Sequence, residues 1–310
     1  MFSLTAAHLR ILSAANEFPT DPTQRGDPGA LVFAGIRGCL PIDPGDQSFA
    51  PSRDLQMVNV DHRHPRCTLV QWVPKTGLLA AYPGSTVPHR RYIERGFGRG
   101  GRGANQLLTG FFDDFRKGMH RPDSPTGHEA FRQTNSRPYR RTGNDLEYDT
   151  DDRVETENPG DNLHAGWCGG VDDERFSSAG CQVVVGYPAC DQREGQPAVG
   201  PWRAFHDVAY ARKRQTSFGY LLVNGFELQR LVVVGARGSE RVRFGSNGPR
   251  ARRVQKGLQR KGVYEGRIDG VFGPRSLRAL LRFQESALGR GASDGVCGPQ
   301  TATALGITWP

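Results

Sequence analysis

The chain has 310 residues, of which 36% are hydrophobic, and its formal net charge is +9 at pH 7. This length is enough for two domains, and the 40 glycines and 21 prolines favour loops and β structure over a helical bundle. The positive charge favours an anionic partner, such as nucleic acid, acidic lipid or the anionic polymers of a bacterial wall, whereas no stretch approaches the roughly 18 apolar residues that a membrane-spanning helix needs.

Residues 1–54 are interpreted as an N-terminal extension with a short amphipathic helix, because Leu4, Leu9, Ile11 and Leu12 can share one helical face. The first residues are too polar for a signal peptide and have no basic region ahead of an apolar one. Export by the ordinary route is therefore not expected. The chain would act at the cell wall or in the periplasm after lysis, injection or particle-borne delivery, and would otherwise be cytoplasmic.

Residues 55–240 alternate strand-like runs with turns, which predicts a β-rich domain. The strand-like runs cover residues 68–73, 77–86, 107–115 and 181–186. Residues 121–162 are polar and charged, which predicts a long surface excursion, and the periodicity at 201–213 predicts a helix. The run 220–235, YLLVNGFELQRLVVVG, is predicted to form two strands around an Asn-Gly turn.

The C-terminal segment contains an internal repeat. The sequences IDGVFGPRSLRAL (268–280) and SDGVCGPQTATAL (293–305) align with an offset of 25 residues. Each places Asp-Gly in a tight turn and Gly-Pro at the start of an amphipathic helix. A further helix precedes them and ends at Gly262, so the pattern predicts a compact three-helix domain over residues 246–310.

These C-terminal motifs resemble the type 1 peptidoglycan-binding domain. The segments that carry the resemblance are VQKGLQRKG, DGVFGPRSLRALLRFQ and DGVCGPQTATAL, and they lie within residues 247–307. The resemblance implies that this domain holds a wall-acting protein on its polymer. Peptidoglycan, both its stem peptides and its glycan, is therefore the expected partner, and specific nucleic-acid binding is not expected.

One histidine and one cysteine in HAGWCGGVDDERFSSAGCQVVVG, residues 164–186, suggest nucleophilic catalysis. Such catalysis needs a thiolate and a nearby base. Cys181 precedes an apolar run, and Gly180 before it allows the backbone to approach a substrate closely, so the N–H groups of Gly180 and Cys181 are candidate oxyanion donors. His164 lies at a predicted strand end, where it is the candidate base.

The same segment resembles the L,D-transpeptidase (YkuD-like) catalytic domain, whose motif is a histidine, a gap, and then Ser/Thr-x-Gly-Cys. The matching residues are His164, Ser178, Gly180 and Cys181. The resemblance implies a mostly β, sandwich-like catalytic domain over residues 55–240, and hence an α+β chain with the small helical domain. It also implies acyl transfer: the cysteine attacks the carbonyl of the third residue of a stem peptide and expels the terminal D-residue.

The resemblance leaves the outcome of that reaction open. The family often has a histidine where this chain has Ala179, and Gln182 and Val183 replace an apolar residue followed by Arg or Asn. Either an amine, giving a cross-link, or water, giving hydrolysis, would resolve the thioester. A stem-peptide carboxylate needs a cation, and the candidates are four arginines of the polar excursion, Arg132, Arg137, Arg140 and Arg141.

Two other classes of function compete with a cysteine enzyme. A zinc peptidase would draw its ligands from His62, His64, His120, Asp123 and His128. However, no H-E-x-x-H motif is present, and the six cysteines include no C-x-x-C pair. The expectation is therefore that the chain uses no metal and no other cofactor. The third class is a non-catalytic wall-binding component of a phage or injection particle.

Overall fold

The computed structural model describes residues 1–20, 29–97, 103–142 and 145–310, without the side chain of residue 97. Its strands and α-helices follow in this order: β1 (Phe2–Thr5), α1 (Ala6–Ala15), β2 (Val32–Arg37), β3 (Cys39–Pro41), β4 (Ser52–Met57), β5 (Cys67–Val73), β6 (Leu78–Ser85), α2 (Arg90–Phe97), β7 (Ala104–Leu107), β8 (Gly110–His120), β9 (His128–Gln133), β10 (Arg137–Thr142), β11 (Arg153–Glu157), β12 (Leu163–Ala165), β13 (Gln182–Val184), α3 (Pro201–Tyr210), β14 (Ser217–Asn224), α4 (Gly225–Val234), α5 (Pro249–Arg260), α6 (Pro274–Leu288) and α7 (Pro299–Leu305).

The predicted α+β class is confirmed, with a β-rich body followed by a helical C-terminal region. Eight strands of the body close into a barrel in the order β12-β13-β6-β5-β2-β14-β8-β9, and two three-stranded sheets, β1-β4-β3 and β11-β10-β7, flank it. All seven residues of β5 are buried, because both faces of this strand are covered. No α-helix among the described residues is long and apolar enough to span a membrane.

Alternating residues of the barrel strands belong to two different cores, as the two-residue period of a strand requires. Phe33 and Tyr220 point to one side and pack with the aromatic residues of α3. Their neighbours Ala34 and Leu221 point to the other side, where α1, α4 and the sheet β1-β4-β3 cover them. The barrel is therefore packed on its inner and outer faces.

Three predictions about the body need correction. Residues 1–54 are not separable from it, because β2 lies between β5 and β14 in the barrel and the α1 residues Leu9 and Leu12 are buried on it, whereas Ile11 is 38% exposed. Residues 121–162 contain β9, β10 and β11, the first of which belongs to the barrel. The second half of 220–235 is helix α4, with Asn224 as its N-cap residue rather than part of a hairpin turn.

The two C-terminal repeats fold into the same local structure. Gln255 of α5 donates to Asp269 at 2.9 Å and accepts from the Gly270 N–H. In the second repeat, Gln284 of α6 bonds in the same way to Asp294 and to the N–H of the following glycine. Each turn is followed by a helix with proline in its first turn, and the three helices share one apolar core.

The C-terminal helices contact the body through polar groups. Glu17, just after α1, accepts hydrogen bonds from the N–H groups of Arg250 and Ala251 in the first turn of α5. A carboxylate there satisfies N–H groups that have no partner within the helix. Ser246 in the connecting segment donates to the Asn16 carbonyl at 2.6 Å, so the linker lies against the body.

Candidate functional site

Strands β12 and β13 bring the predicted nucleophile and base to one side of the barrel. The two strands are parallel, and Leu163 pairs with Gln182 and His164 with Val183. Residues that face each other across a ladder point to the same side, and every second residue along a strand does so too. Cys181 directly precedes β13 and packs in one apolar cluster with Val183, so it lies on the same side as His164.

Cys181 is in contact with a buried carboxyl group. The residue is 7% exposed, and its Sγ donates to Asp161 Oδ1 at 3.6 Å. The other oxygen of Asp161 accepts from Asn105 Nδ2 at 2.8 Å. Burial, with the negative charge of Asp161, raises the pKa of Cys181 well above its ordinary value, and burial also raises the pKa of Asp161. The resting cysteine is therefore a thiol.

His164 is held as a neutral base. Its Nδ1–H donates to the Ala165 carbonyl at 2.8 Å, which leaves a lone pair on Nε2. That atom is buried and has no hydrogen-bond partner among the described residues. Burial, with the neighbouring histidines, lowers the pKa of His164 well below its ordinary value. No hydrogen bond joins it to Cys181 within the described part of the chain, so proton transfer between them requires Sγ to leave Asp161.

Two further histidines surround His164. The ring of His120 stacks on that of His164 with 4.1 Å between their centroids, and the ring centroid of His128 lies 5.4 Å from that of His164. Asn162 accepts from the Gln133 N–H, so its amide nitrogen faces His120 Nδ1 at 2.9 Å, and His120 carries its proton on Nε2. Burial lowers the pKa of His120 to about 3. The whole cluster is therefore neutral near pH 7.

Ser178 and Gly180 shape the turn that precedes Cys181. Ser178 Oγ donates to the Cys181 carbonyl at 2.7 Å and accepts from the Gly180 N–H at 3.2 Å. Gly180 has φ +148°, and a Cβ there would lie 2.3 Å from Asp161 Oδ2. The backbone thus approaches Asp161 more closely than a side chain allows. Because the Gly180 N–H bonds within the turn, the Cys181 N–H is the better candidate for an oxyanion donor.

A cavity of about 310 Å³ opens beside this cluster. His120, His128 and Trp167 line it, and three arginines surround it, namely Arg91, Arg121 and Arg175. Trp167 adopts φ +56°, which is an unfavourable conformation for a bulky residue. Its ring lies 5.9 Å from that of His128. The cavity therefore combines aromatic walls with positive charge beside the Cys181–His164 face.

Of the arginines predicted to bind substrate, Arg137 is a structural residue. It donates from Nε and Nη2 to Asp114 at 2.9 and 2.6 Å. Its guanidinium carbon lies 3.8 Å from the centroid of the Phe115 ring, and the residue is only 1% exposed. The buried ion pair and the aromatic contact occupy its charged group, which corrects the expectation of a role in substrate binding.

The other three predicted arginines also lie away from the cavity lining. Arg140 donates to the carbonyls of Asp152 and Ser293, and Arg141 forms ion pairs with the two glutamates of β11. Arg132 is exposed on β9. The polar composition of this segment misled the prediction, because two of its charged side chains are paired inside the flanking sheet and not displayed to solvent. No local pattern indicated Arg91, Arg121 and Arg175.

The residues considered for a zinc site are divided among different contacts. His62 Nδ1 lies 2.8 Å from the Pro88 carbonyl, His64 pairs with Asp61, and His120 and His128 belong to the cluster around His164. Among the described residues, no group of three or more His, Cys, Asp or Glu side chains is arranged to hold a metal ion.

Comparison with known proteins adds one match. Residues 247–305 match the model of the peptidoglycan-binding domain family, in agreement with the resemblance over 247–307. No curated protein and no solved structure matches the chain. The match supports an association of the C-terminal domain with the cell wall, and it does not extend to the barrel.

Proposed function

We propose that this protein is a cell-wall enzyme that transfers or hydrolyses acyl groups of peptidoglycan stem peptides through a thioester on Cys181. The main supporting observation is that Cys181 directly precedes β13, whose Val183 pairs with His164 on β12, and that a cavity lined by cationic residues adjoins the histidine cluster. A thiol, a neutral base and cations for a peptide carboxylate are the groups that this reaction needs. On this proposal, the protein acts in the wall or periplasm after lysis, injection or particle-borne delivery.

The proposed reaction begins with a change of hydrogen-bond partner at the thiol. Rotation about the Cα–Cβ bond of Cys181 moves Sγ from Asp161 towards His164, where the free lone pair on Nε2 accepts the S–H proton. Sγ then bonds to the substrate carbonyl carbon, and the Cys181 N–H donates to the oxyanion. Asp161 stays in place because Asn105 holds its other oxygen.

The second half of the reaction returns the proton. The bond between the carbonyl carbon and the leaving nitrogen breaks, and the His164 imidazolium protonates the departing amine, leaving a thioester on Cys181. An amine acceptor then forms a cross-link, or water forms a free carboxylate. In both cases the attacking group gives one proton to His164, and the thiol is regenerated.

The C-terminal domain is proposed to hold the enzyme on the polymer. A groove of about 320 Å³ on this domain is lined by Tyr264 and by three arginines of α6, namely Arg275, Arg278 and Arg282. These arginines share one helical face, and guanidinium groups bind carboxylates with paired hydrogen bonds. Deletion of residues 247–310 should weaken binding to sacculi and spare activity on soluble stem peptides.

A pair of cysteine variants tests the catalytic proposal. Cys181→Ala should abolish the release of stem-peptide fragments from purified sacculi, measured by mass spectrometry. Cys168→Ala is the matched control, because Cys168 is a buried cysteine of the same apolar cluster. His164→Ala should lower the rate by about 10²- to 10⁴-fold, the range for a positioned general base. Chelators should leave turnover unchanged, and iodoacetamide should stop it.

Activity that survives in Cys181→Ala, or is lost equally in Cys168→Ala, would contradict the assignment. Inactivity of the wild-type protein with intact sacculus binding would instead favour the second candidate, a non-catalytic wall-binding component. One observation favours that candidate: the Cys181 thiol bonds to Asp161, and its pKa is raised well above the ordinary value. A former catalytic site that has lost its activity would keep its cysteine as such a stable thiol.

A further inference from the structure

A second cavity lies between the barrel and the C-terminal helices. Its volume is about 450 Å³, and its walls come from the ends of β2, β7 and β10, the start of α4, the linker near residue 240 and the turn before α7. Five arginines line it, namely Arg37, Arg140, Arg230, Arg241 and Arg243. The catalytic proposal makes no use of this cavity.

The acidic residues of this cavity do not neutralise its arginines. Three carboxylates line it, those of Asp149, Glu227 and Asp294. Glu227 is paired with Arg243, at 2.5 and 3.0 Å. Asp294 accepts hydrogen bonds from Gln284 and from a backbone N–H of its own turn. The cavity therefore has an excess of positive charge.

Within the described part of the chain, three of the arginines form no ion pair with a carboxylate. Arg37 donates to the Thr86 hydroxyl and to backbone carbonyls, and Arg140 and Arg241 donate to backbone carbonyls. Burial lowers the pKa of each. Carboxylates near Arg140 and Arg241 act on them only through space, and an anion bound directly between the guanidinium groups would offset more of the cost of removing them from water.

Two residues of the cavity lining also carry buried donors. Among the described residues, neither the Nε atom of Arg243 nor the hydroxyl of Tyr148 has a hydrogen-bond partner. Arg243 is only 3% exposed, so its orientation is fixed by packing. Buried donors are normally satisfied, and these two belong to residues that line the cavity, so a small rotation of either side chain would present a donor to a ligand.

We infer that this cavity binds an oxyanion, a carboxylate or a phosphate, belonging to the wall polymer. The C-terminal domain, which matches the peptidoglycan-binding domain family, supplies one wall of the cavity through Asp294 and Val296. Carboxylates of stem peptides and phosphates of anionic wall polymers present the same acceptor geometry to arginine. The inference does not depend on a catalytic role for Cys181.

The test is calorimetric binding to the full-length protein with two probes. The first is a soluble stem tripeptide, which lacks the terminal D-residue that acyl transfer would expel and so is not turned over. The second is a glycerol-phosphate oligomer. We expect at least one probe to bind, with an affinity that falls as salt is added. The probe that binds more tightly identifies the source of the oxyanion.

Variants then locate the binding. Arg37→Gln and Arg241→Gln should each weaken it by about tenfold or more, because each loses a charge-assisted hydrogen bond. Arg132→Gln, an exposed arginine on β9 outside the cavity lining, should bind like the wild type. Circular dichroism should show that Arg241→Gln is folded, because Arg241 lies on the connecting segment outside the strands and helices.

Failure of both probes to bind would overturn the inference. Binding that is unchanged in Arg37→Gln and Arg241→Gln would place the ligand elsewhere and would overturn it as well. Neither result bears on the turnover assay with Cys181→Ala, so the two proposals fail independently.

Discussion

Replacing Gly180 by alanine probes the close approach of the turn to Asp161. A Cβ at this position would lie 2.3 Å from Asp161 Oδ2 and 2.7 Å from Asn105 Cβ, and the backbone has φ +148°. A strained backbone conformation costs about 1–3 kcal/mol, and overpacking a filled site costs about 1–3 kcal/mol more. We therefore expect Gly180→Ala to lower the free energy of unfolding by about 2–6 kcal/mol.

Gly160 provides the matched control in the same loop region. It has φ +78°, and a Cβ there would meet nothing within 4 Å, so Gly160→Ala should show only the backbone cost of about 1–2 kcal/mol. Guanidinium unfolding of both variants measures the difference. Because Asp161 accepts a hydrogen bond from the Cys181 thiol, the rate at which iodoacetamide alkylates Cys181 should change in Gly180→Ala and stay unchanged in Gly160→Ala. Equal destabilisation of the two variants would refute the close packing described for this turn.

Three further predictions concern other parts of the molecule. Asp114→Asn should destabilise the protein by about 3–5 kcal/mol in chemical unfolding, because Arg137 would keep a buried charge without its partner; a loss below about 1 kcal/mol would contradict this account. Glu17→Ala should cost about 0.5–2 kcal/mol, through loss of the cap on α5, and should expose amides in the first turn of α5 to hydrogen exchange; unchanged exchange would argue against the cap. The pKa of His120 is lowered to about 3 in the folded protein, so the unfolded chain takes up the proton at a higher pH than the folded chain, and the free energy of unfolding should fall as pH drops from about 6.5. His120→Gln should reduce the dependence of this free energy on pH by about 1.4 kcal/mol per pH unit. An unchanged dependence on pH in His120→Gln would contradict the lowered pKa.

The C-terminal domain could be predicted because its information is local. The Asp-Gly turns at 269–270 and 294–295 and the prolines that open α6 and α7 act within a few residues of themselves. The segment 225–234 was harder, since an apolar run of this length suits a strand or a helix. Leu228 and Leu231 are buried against the same core as α1, and that packing, which no local pattern contains, makes the segment helical.

The residues of the candidate site were likewise predicted only in part from the sequence. The Ser-x-Gly-Cys motif and the upstream histidine singled out Cys181 and His164 by resemblance, and Gly180 by its conformational freedom. Asp161 was missed because its importance comes from burial beside the thiol. Arg137 was misassigned because a charge in a polar segment is expected in solvent, whereas here Asp114 and an aromatic ring receive it.

The sequence by itself thus determined the α+β class and the three-helix domain, and it predicted Cys181 and His164 as candidate site residues, because turn chemistry, periodicity and residue type are local properties. The tertiary structure alone decided that the sheet closes into a barrel and that Asp161 meets Cys181. It also decided that three histidines share one buried cluster and that Arg37, Arg140 and Arg241 line one cavity. These features depend on packing between segments that are distant in the sequence. The burial that results from this packing changes both the charge state and the available partners of a side chain.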